Sequence, residues 1–165
     1  DPTGLGRWVW QLFRGKNGTR TRIYTCYRPC SSRAEGLSTV YTQQRTFFRD
    51  QRRDPGTKPR EPRAAFIEDL ERDVTARQMA GERIVIMMDA NGDVTRGPLK
   101  SMEMNLGLRN TILTHNNSRD PPATHKRGSQ MIDVILSSPD IVITGAAMLG
   151  GNDSLGDHRT LIVDF

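Results

Sequence analysis

The sequence contains no long hydrophobic run and very little cysteine. Its longest apolar stretches span five or six residues, as at Ile84–Met88, whereas a membrane-spanning helix needs about 20. The two cysteines, Cys26 and Cys30, match neither a disulfide framework nor a zinc-binding pattern. Two free thiols suit a reducing compartment, and no charged-then-apolar leader follows Asp1. We therefore expect an intracellular protein with no membrane partner.

The length of the chain predicts one domain. With 165 residues and a typical domain of about 100–150 residues, we expect a single domain over 1–165. A chain of this size buries about 68–70% of its unfolded surface, so it needs no disulfide to be stable.

Lysine is scarce, although the chain is basic. Only 4 of the 24 cationic side chains are Lys and 20 are Arg, with a formal net charge of +5. The planar Arg guanidinium grips phosphate oxygens through two parallel hydrogen bonds, so the composition favours a phosphate-rich partner such as nucleic acid. A GC-rich genome or an ordinary solvated surface explains the excess equally well. Residues 45–63, which carry six Arg and one Lys against three acids, fit a solvated helix and loop better than a nucleic-acid contact.

Short β-rich and helical patterns alternate along the chain. Strands are predicted at 8–13, 21–27, 84–88, 131–137, 141–148 and 161–163, and helices from Ser38 or Thr39 to Arg53, at 63–79 and at 98–105. The glycine-bounded segment between the first two strands predicts a hairpin, and Pro29 ends the second of them. The pattern predicts a layered α/β fold with mixed sheets flanked by helices.

Polar residues follow the buried strand where it ends. Asp89 and Asn91 stand two apart directly after 84–88, and strand ends of α/β sheets open into the ligand crevice. The carboxylate can accept a proton from water, and the amide can donate to an oxyanion. An Asx turn uses the same residue types, and for this pair alone it is the stronger interpretation.

Further polar positions stand beside apolar segments near the C-terminus. Asp133 lies inside the apolar run 131–136, where a carboxylate is costly unless it is paired; a solvent-facing edge position is the alternative. Asp157 and His158 precede the last predicted strand, and a histidine can donate to a phosphate near neutral pH. A structural Asp–His pair is the more common explanation. His125 is not expected to bind a metal, but it precedes Asp133 closely enough to line the same cleft.

The order of these motifs resembles that of the endonuclease/exonuclease/phosphatase superfamily of exonuclease III and DNase I-like proteins. Four stretches carry the resemblance, namely 23–29 (IYTCYRP), 84–91 (IVIMMDAN), 130–136 (QMIDVIL) and 156–159 (GDHR). It covers nearly the whole chain and implies the C-terminal two-thirds of a layered α/β sandwich. The basic composition is also similar to the retroelement-encoded endonuclease branch, whose members would be nuclear.

The resemblance implies a phosphodiester hydrolase that uses Mg²⁺ or Mn²⁺, with DNA favoured over RNA as its partner. Asp89 is similar to the residue that orients or deprotonates the water, Asn91 to an oxyanion donor, and His158 to the histidine on the scissile phosphate. Asp133 is similar to the carboxylate that orients this histidine, and Asp157 to a residue at or beside the metal. Residues expected to contact phosphate are Tyr27, Arg28, Arg96, Arg127 and Arg159.

The resemblance has gaps. Met88 and Ala90 replace the usual glycine and aromatic residue, and Gly156 replaces a serine. The Asn and the metal-binding Glu of the family's first strands have no counterpart, so 1–165 resembles an N-terminally incomplete domain. A non-catalytic nucleic-acid-binding remnant and a phosphoesterase for small phosphoesters are therefore kept as alternatives. The motif order predicts one cleft in which Asp133 lies within hydrogen-bond reach of His158.

Overall fold

The chain begins with the predicted hairpin. The computed structural model describes residues 1–52, 54–154 and 156–165. Strand β1 (Trp8–Arg14) pairs antiparallel with β2 (Arg20–Tyr27), and a single 3-10 turn joins them. Strand β2 ends two residues before Pro29, which has no N–H to donate to a ladder.

Two helices connect β2 to the next strand. Helix α1 (Val40–Asp50) begins after Thr39, whose hydroxyl caps it, and helix α2 (Pro62–Met79) follows a loop. Strand β3 (Arg83–Asp89) then pairs parallel with β2. Both helices thus belong to the long crossover that a parallel pair requires. The predicted helix end at Arg53 lies outside the described residues.

Helix α2 packs on one face of the sheet. Phe66, Leu70 and Val74 are fully buried, and they follow the i, i+4 spacing of a helix with one apolar side. The ring of Trp8 meets Phe66 edge to face, with centroids 5.7 Å apart. The main hydrophobic core therefore lies between α2 and the sheet.

The remaining strands complete a mixed sheet. Helix α3 (Gly97–Asn105), the short strand β4 (Arg109–Asn110) and helix α4 (Thr111–His115) precede strand β5 (Asp133–Ser137). The strand order is β1-β2-β3-β5-β4, with every neighbouring pair antiparallel except β2 and β3. Strand β4 and helix α4 are not predicted from the sequence, because they are too short to show a hydrophobic period.

A separate two-stranded sheet follows. Strands β6 (Gly145–Met148) and β7 (Leu161–Asp164) pair antiparallel. The predicted strand over 141–148 is wrong at its start, because the N–H of Ile141 donates to the carbonyl of Ser138 in a turn. Ile141 is buried in a hydrophobic cluster and Ile143 packs against it, although neither lies in a strand.

The small sheet packs on the face of the large sheet opposite α2. Leu161 and Val163 contact a second hydrophobic cluster formed by Val85, Ile135 and Ile141. The predicted layered α/β fold with a mixed sheet flanked by helices is confirmed. Within the described ranges, no helix is both long and apolar enough to cross a membrane.

Candidate active site

Three of the predicted residues form one row across the large sheet. Tyr27 at the end of β2 is in register with Asp89 at the end of β3, which is in register with Asp133 at the start of β5. Side chains in register on neighbouring strands lie on the same face, and this face carries β6 and β7. The sheet therefore places Asp89 and Asp133 side by side, with the exposed Tyr27 next to them.

The turn after β3 brings Asn91 back toward β2. Asn91 has a φ of 45°, a left-handed conformation that Asn adopts more readily than most residues. Its N–H donates to Asp89 Oδ1 at 3.0 Å, and its side-chain Nδ2 donates to the carbonyl of Arg28 at 2.8 Å. The Asx turn is therefore present and holds the Asp89 carboxylate. The role of Asn91 as an oxyanion donor stays a prediction.

Two arginines support this turn. Arg28 is buried, and its guanidinium donates to the carbonyls of Ala90 and Arg63, each at 3.2 Å. Arg63 in turn donates to the carbonyl of Asn91 at 2.9 Å. Burial and the neighbouring charge of Arg63 lower the pKa of Arg28 to about 10. A Cβ at Gly92 would lie 3.0 Å from Arg63 Nη2, so this position favours glycine. The structure thus places Arg28, a predicted phosphate contact, as a support for the turn.

The predicted contact between Asp133 and His158 is confirmed. His158 Nδ1 lies 2.9 Å from Asp133 Oδ2. Burial lowers the pKa of the imidazole, but the hydrogen bond and the negative charge of Asp133, helped by Asp89, outweigh burial and raise the pKa of His158. The ring therefore stays protonated closer to neutral pH, where it can donate to an anionic phosphoryl oxygen.

Asp89 has the surroundings of a base. Burial raises the pKa of Asp89, the N–H of Asn91 lowers it in part, and the like charge of Asp133 raises it again, with a net upward shift. A carboxylate with a raised pKa accepts a proton more readily than an ordinary one.

A second histidine lies beside His158, although the resemblance of the motifs assigns it no role. His125 Nε2 is 3.2 Å from Asp157 Oδ2, and the rings of His125 and His158 meet edge to face with centroids 4.9 Å apart. The backbone N–H of Asp157 and the hydrogen bond to His125 lower the pKa of Asp157. The sequence signal for His125 was its position close before Asp133.

Two overlapping groups of side chains offer ligands for a divalent cation. The ligand atoms of Asp89, Asp133 and His158 lie within 4.8 Å of one another, as do those of His125, Asp157 and His158. Carboxylate oxygens suit Mg²⁺ and Mn²⁺, and imidazole suits softer divalent metals. Among the described residues, neither group includes a glutamate.

A groove of about 340 Å³ lies over Asp89 and Asp133. Arg159 lines it, and its contact with phosphate stays a prediction. Arg127 is exposed next to this site, and Arg96 is exposed and pairs with a neighbouring carboxylate at 2.6 Å. The structure thus brings one of the four predicted arginines into the groove.

No family model and no curated protein matches the sequence, but several solved structures share its fold. The human Nocturnin catalytic domain with bound sulfate anion gives a TM-score of 0.60 at 17% identity, over 94% of this chain and 51% of that one. An endonuclease/exonuclease/phosphatase family protein from Bacteroides thetaiotaomicron gives 0.55 at 10% identity, over 94% and 54%. A mannosyl-6-phosphatase from the same organism gives 0.57 at 11% identity, over 96% and 57%.

These matches concern the fold. They confirm the DNase I-like α/β fold that the resemblance of the motifs implies. The chain spans about half the length of the solved structures that it matches.

Proposed function

We propose that this chain carries part of the active site of a metal-dependent phosphodiester hydrolase that acts on nucleic acid, with DNA favoured over RNA. The observation that supports this most directly is the 2.9 Å contact between His158 and Asp133, next to the half-buried Asp89 in one groove. A base for water and a fixed donor for the phosphoryl oxygens are groups that hydrolysis of a phosphodiester requires.

Asp89 and His158 have complementary roles in this proposal. Asp89, with its raised pKa, accepts a proton from the attacking water while the water oxygen bonds to phosphorus. The ester P–O bond breaks, and the leaving oxygen takes a proton from solvent. The His158 imidazolium, oriented by Asp133, donates to a non-bridging phosphoryl oxygen. Negative charge accumulates on these oxygens in the transition state, so a fixed donor stabilises it.

The carboxylates of this face fit a divalent cation. Asp89 and Asp133 are direct cross-strand neighbours, and like charges in that position are destabilising unless positive charge lies close by. In the two ligand groups, Asp157 would hold Mg²⁺ or Mn²⁺ beside His158, and Asp89 would do so beside Asp133. When bound, such an ion supplies positive charge that polarises the phosphoryl oxygens.

The nucleic-acid partner is inferred from the arginines. Arg159 lines the groove, and the exposed Arg127 donates its backbone N–H to His125 of the neighbouring ligand group, so both are available to contact backbone phosphates. The arginine-rich composition also supports a retroelement-encoded endonuclease, and with it a nuclear location.

We further propose that 1–165 is part of a larger endonuclease/exonuclease/phosphatase domain. The chain covers 51%, 54% and 57% of three solved structures while 94% to 96% of its own length is matched. The absence of a glutamate from both ligand groups, within the described ranges, supports the same idea. We therefore expect weak cleavage from this chain alone.

Two other functions have support from one observation each. The missing glutamate would suit a remnant that binds nucleic acid without cleaving it. The likeness in fold to a mannosyl-6-phosphatase would suit a small phosphoester substrate.

Nicking of a supercoiled plasmid with Mg²⁺ or Mn²⁺ tests the proposal. We expect slow nicking that a chelator abolishes and that is lost in His158→Ala. The matched control is His115→Ala, which removes an exposed histidine at the end of α4. Full activity in His158→Ala, or nicking that resists chelator, would contradict the proposal.

Parallel assays separate the alternatives. Salt-sensitive DNA binding without any nicking would favour the binding remnant. Chelator-sensitive release of phosphate from a sugar phosphate, with the plasmid left intact, would favour the small-substrate phosphoesterase.

A further inference from the structure

The hydrogen-bond partners of His125 favour one tautomer of its neutral ring. The backbone N–H of Arg127 donates to His125 Nδ1 at 3.2 Å, so Nδ1 bears the lone pair and the proton of the neutral ring is on Nε2. His125 Nε2 lies 3.2 Å from Asp157 Oδ2. The ring therefore donates its N–H to the Asp157 carboxylate.

This hydrogen bonding argues against His125 as a metal ligand. An imidazole binds a metal through a nitrogen lone pair. The lone pair of His125 Nδ1 already accepts from Arg127, and Nε2 carries the hydrogen directed at Asp157. Although His125, Asp157 and His158 are close enough for a cation, His125 is placed as a donor to one of the ligands.

The backbone of Thr124–Lys126 ties together the two parts of the site. Two reciprocal hydrogen bonds of 2.7 and 2.8 Å join it to Asp157–Arg159. The buried Thr124 hydroxyl also accepts from the N–H of Asp133 at 3.0 Å. The segment thus bridges the strand of Asp133 and the loop of His158, and it fixes where the ring of His125 can lie.

Asp157 needs such a partner to keep one orientation. Its side chain is 60% exposed, whereas that of His125 is 22% exposed. An exposed side chain loses rotamer entropy when it is held in one position, and the donor on the less mobile His125 offsets part of that cost. The edge contact with the ring of His158 limits the positions of that imidazole as well.

We propose that His125 is a positioning residue, which holds the Asp157 carboxylate through Nε2–H and the His158 ring through its edge. This inference rests on the proposed function, because it assigns His125 to the same site. Partners behind a metal ligand typically change metal affinity or activity by about 10–100-fold when they are removed.

Three variants test the proposal. His125→Ala removes the donor, whereas His125→Gln keeps a side-chain N–H that can reach Asp157. His115→Ala is the control, because it removes an exposed histidine from α4 without touching the site. Amide NMR spectra of each variant establish that it keeps the native fold.

The first measurement does not depend on activity. Mn²⁺ is titrated into each protein, and the paramagnetic broadening of the His158 ring signals gives relative affinities. We expect about 10-fold weaker binding in His125→Ala, and values near the wild type in His125→Gln and His115→Ala. Imidazole ¹⁵N shifts of the neutral ring at alkaline pH should show His125 with its proton on Nε2. A proton on Nδ1, or unchanged Mn²⁺ affinity in His125→Ala, would overturn the proposal.

Plasmid nicking separates this proposal from the proposed function. Mn²⁺ affinity that falls in His125→Ala, with no nicking by any variant, supports the positioning role and removes the proposed hydrolase. Chelator-sensitive nicking that is equal in His125→Ala and the wild type overturns the positioning role and leaves the hydrolase intact. Nicking lost in His125→Ala and recovered in His125→Gln supports both.

Discussion

The two faces of the five-stranded sheet differ in how completely they are covered. On the face under α2, Tyr24, Ile84 and Ile86 are fully buried. On the opposite face Val9 is 67% exposed and Met87 is 40% exposed, because the β6–β7 pair covers only part of it. One sheet therefore has a closed face and an open face.

The candidate active site lies on the open face. Asp89 and Asp133 belong to it, while the closed face holds the strands in register through its apolar contacts. A site built on strand ends needs a rigid support behind it and access for substrate in front. The comparison predicts that substitutions on the open face change activity, and that substitutions on the closed face change stability.

The largest expected effect is on catalysis. In a form of the protein with measurable nicking, Asp89→Ala and His158→Ala should each lower the rate by about 10²–10⁴-fold. The free energy of unfolding should change by less than about 1 kcal/mol, because neither side chain fills the core. Single-turnover nicking and denaturant unfolding measure the two quantities. If the free energy of unfolding fell in these variants as much as in a substitution on the closed face, the expected difference between the two faces would be contradicted.

The next effect is on stability. Phe66→Ala on the closed face should lower the free energy of unfolding by about 3–5 kcal/mol, since it leaves a cavity between α2 and the sheet. Met87→Ala, the matched change on the open face, should cost less than about 1 kcal/mol, because this side chain is partly exposed. Urea unfolding of both variants checks this, and equal losses would show that the open face is covered in solution.

A buried ion pair joins Arg7 to Asp69 of α2, and the pH dependence of stability tests its contribution to the closed face. Arg7 donates to Asp69 at 2.8 Å, and both side chains are almost fully buried. Burial raises the pKa of Asp69, but the hydrogen bonds from Arg60 and Arg7 outweigh it and lower the pKa. The pair therefore stabilises the fold above the unfolded-state pKa of about 3.9, and this contribution is lost as the pH falls through the folded-state value.

Asp69→Asn should therefore cost about 2 kcal/mol at neutral pH, because it removes one of the two carboxylates that pair with the buried Arg7 while Asp1 stays bound to it. The difference from the wild type should shrink as the pH falls below about 4, because Asp69 takes up a proton first in the unfolded state and then, at its lowered pKa, in the folded state. Urea unfolding at several pH values measures it. A difference that stays constant with pH would show that the ion pair does not carry the effect.

The open face should show strong salt dependence of DNA binding. If about three phosphates are neutralised, affinity should fall about 40-fold between 50 and 200 mM salt, from a slope of about −0.9 per phosphate. Arg159→Ala removes a cation from the groove, so the slope of log affinity against log salt should become less steep by the contribution of about one phosphate contact. Arg14→Ala on β1 should leave this slope unchanged. Fluorescence anisotropy with a labelled duplex gives these slopes, and a flat response would contradict a nucleic-acid partner.

Local patterns in the sequence predict the main strands and helices, and also the row of acids. Asp89 follows a strong apolar run and Asp133 lies within another, so both are predicted at strands; the strand predicted over 131–137 begins at Asp133 in the structure. The roles of Arg28 and His125 depend on partners far away in the chain. The carbonyl of Ala90 is 62 residues from Arg28, and Asp157 is 32 residues from His125. Such contacts arise only when strands from distant parts of the chain are brought together, and no local period encodes them.

The smallest expected effect is the pH dependence of the Asp133–His158 pair. The hydrogen bond and charge of Asp133 outweigh burial and raise the pKa of His158 above its usual value of about 6.5. The pair therefore contributes stability that is fully present below the unfolded-state pKa and is lost as the pH rises through the raised folded-state pKa. Because the His158 side chain is 36% exposed, this contribution should be below about 1 kcal/mol.

Asp133→Asn tests whether the Asp133 carboxylate raises the pKa of His158. The substitution keeps the shape of the side chain but removes its charge, so the pKa of His158 should fall. The wild type should then be more stable than Asp133→Asn below the unfolded-state pKa, and this difference in the free energy of unfolding should disappear above neutral pH. Imidazole chemical shifts and urea unfolding, both followed against pH in the presence of a chelator, measure the two effects. A His158 that titrates at the same pH in both proteins would mean that Asp133 does not hold the imidazolium. The open face would then lack a protonated donor near neutral pH, whereas the expectations for Phe66 and Asp69 on the closed face would stand unchanged.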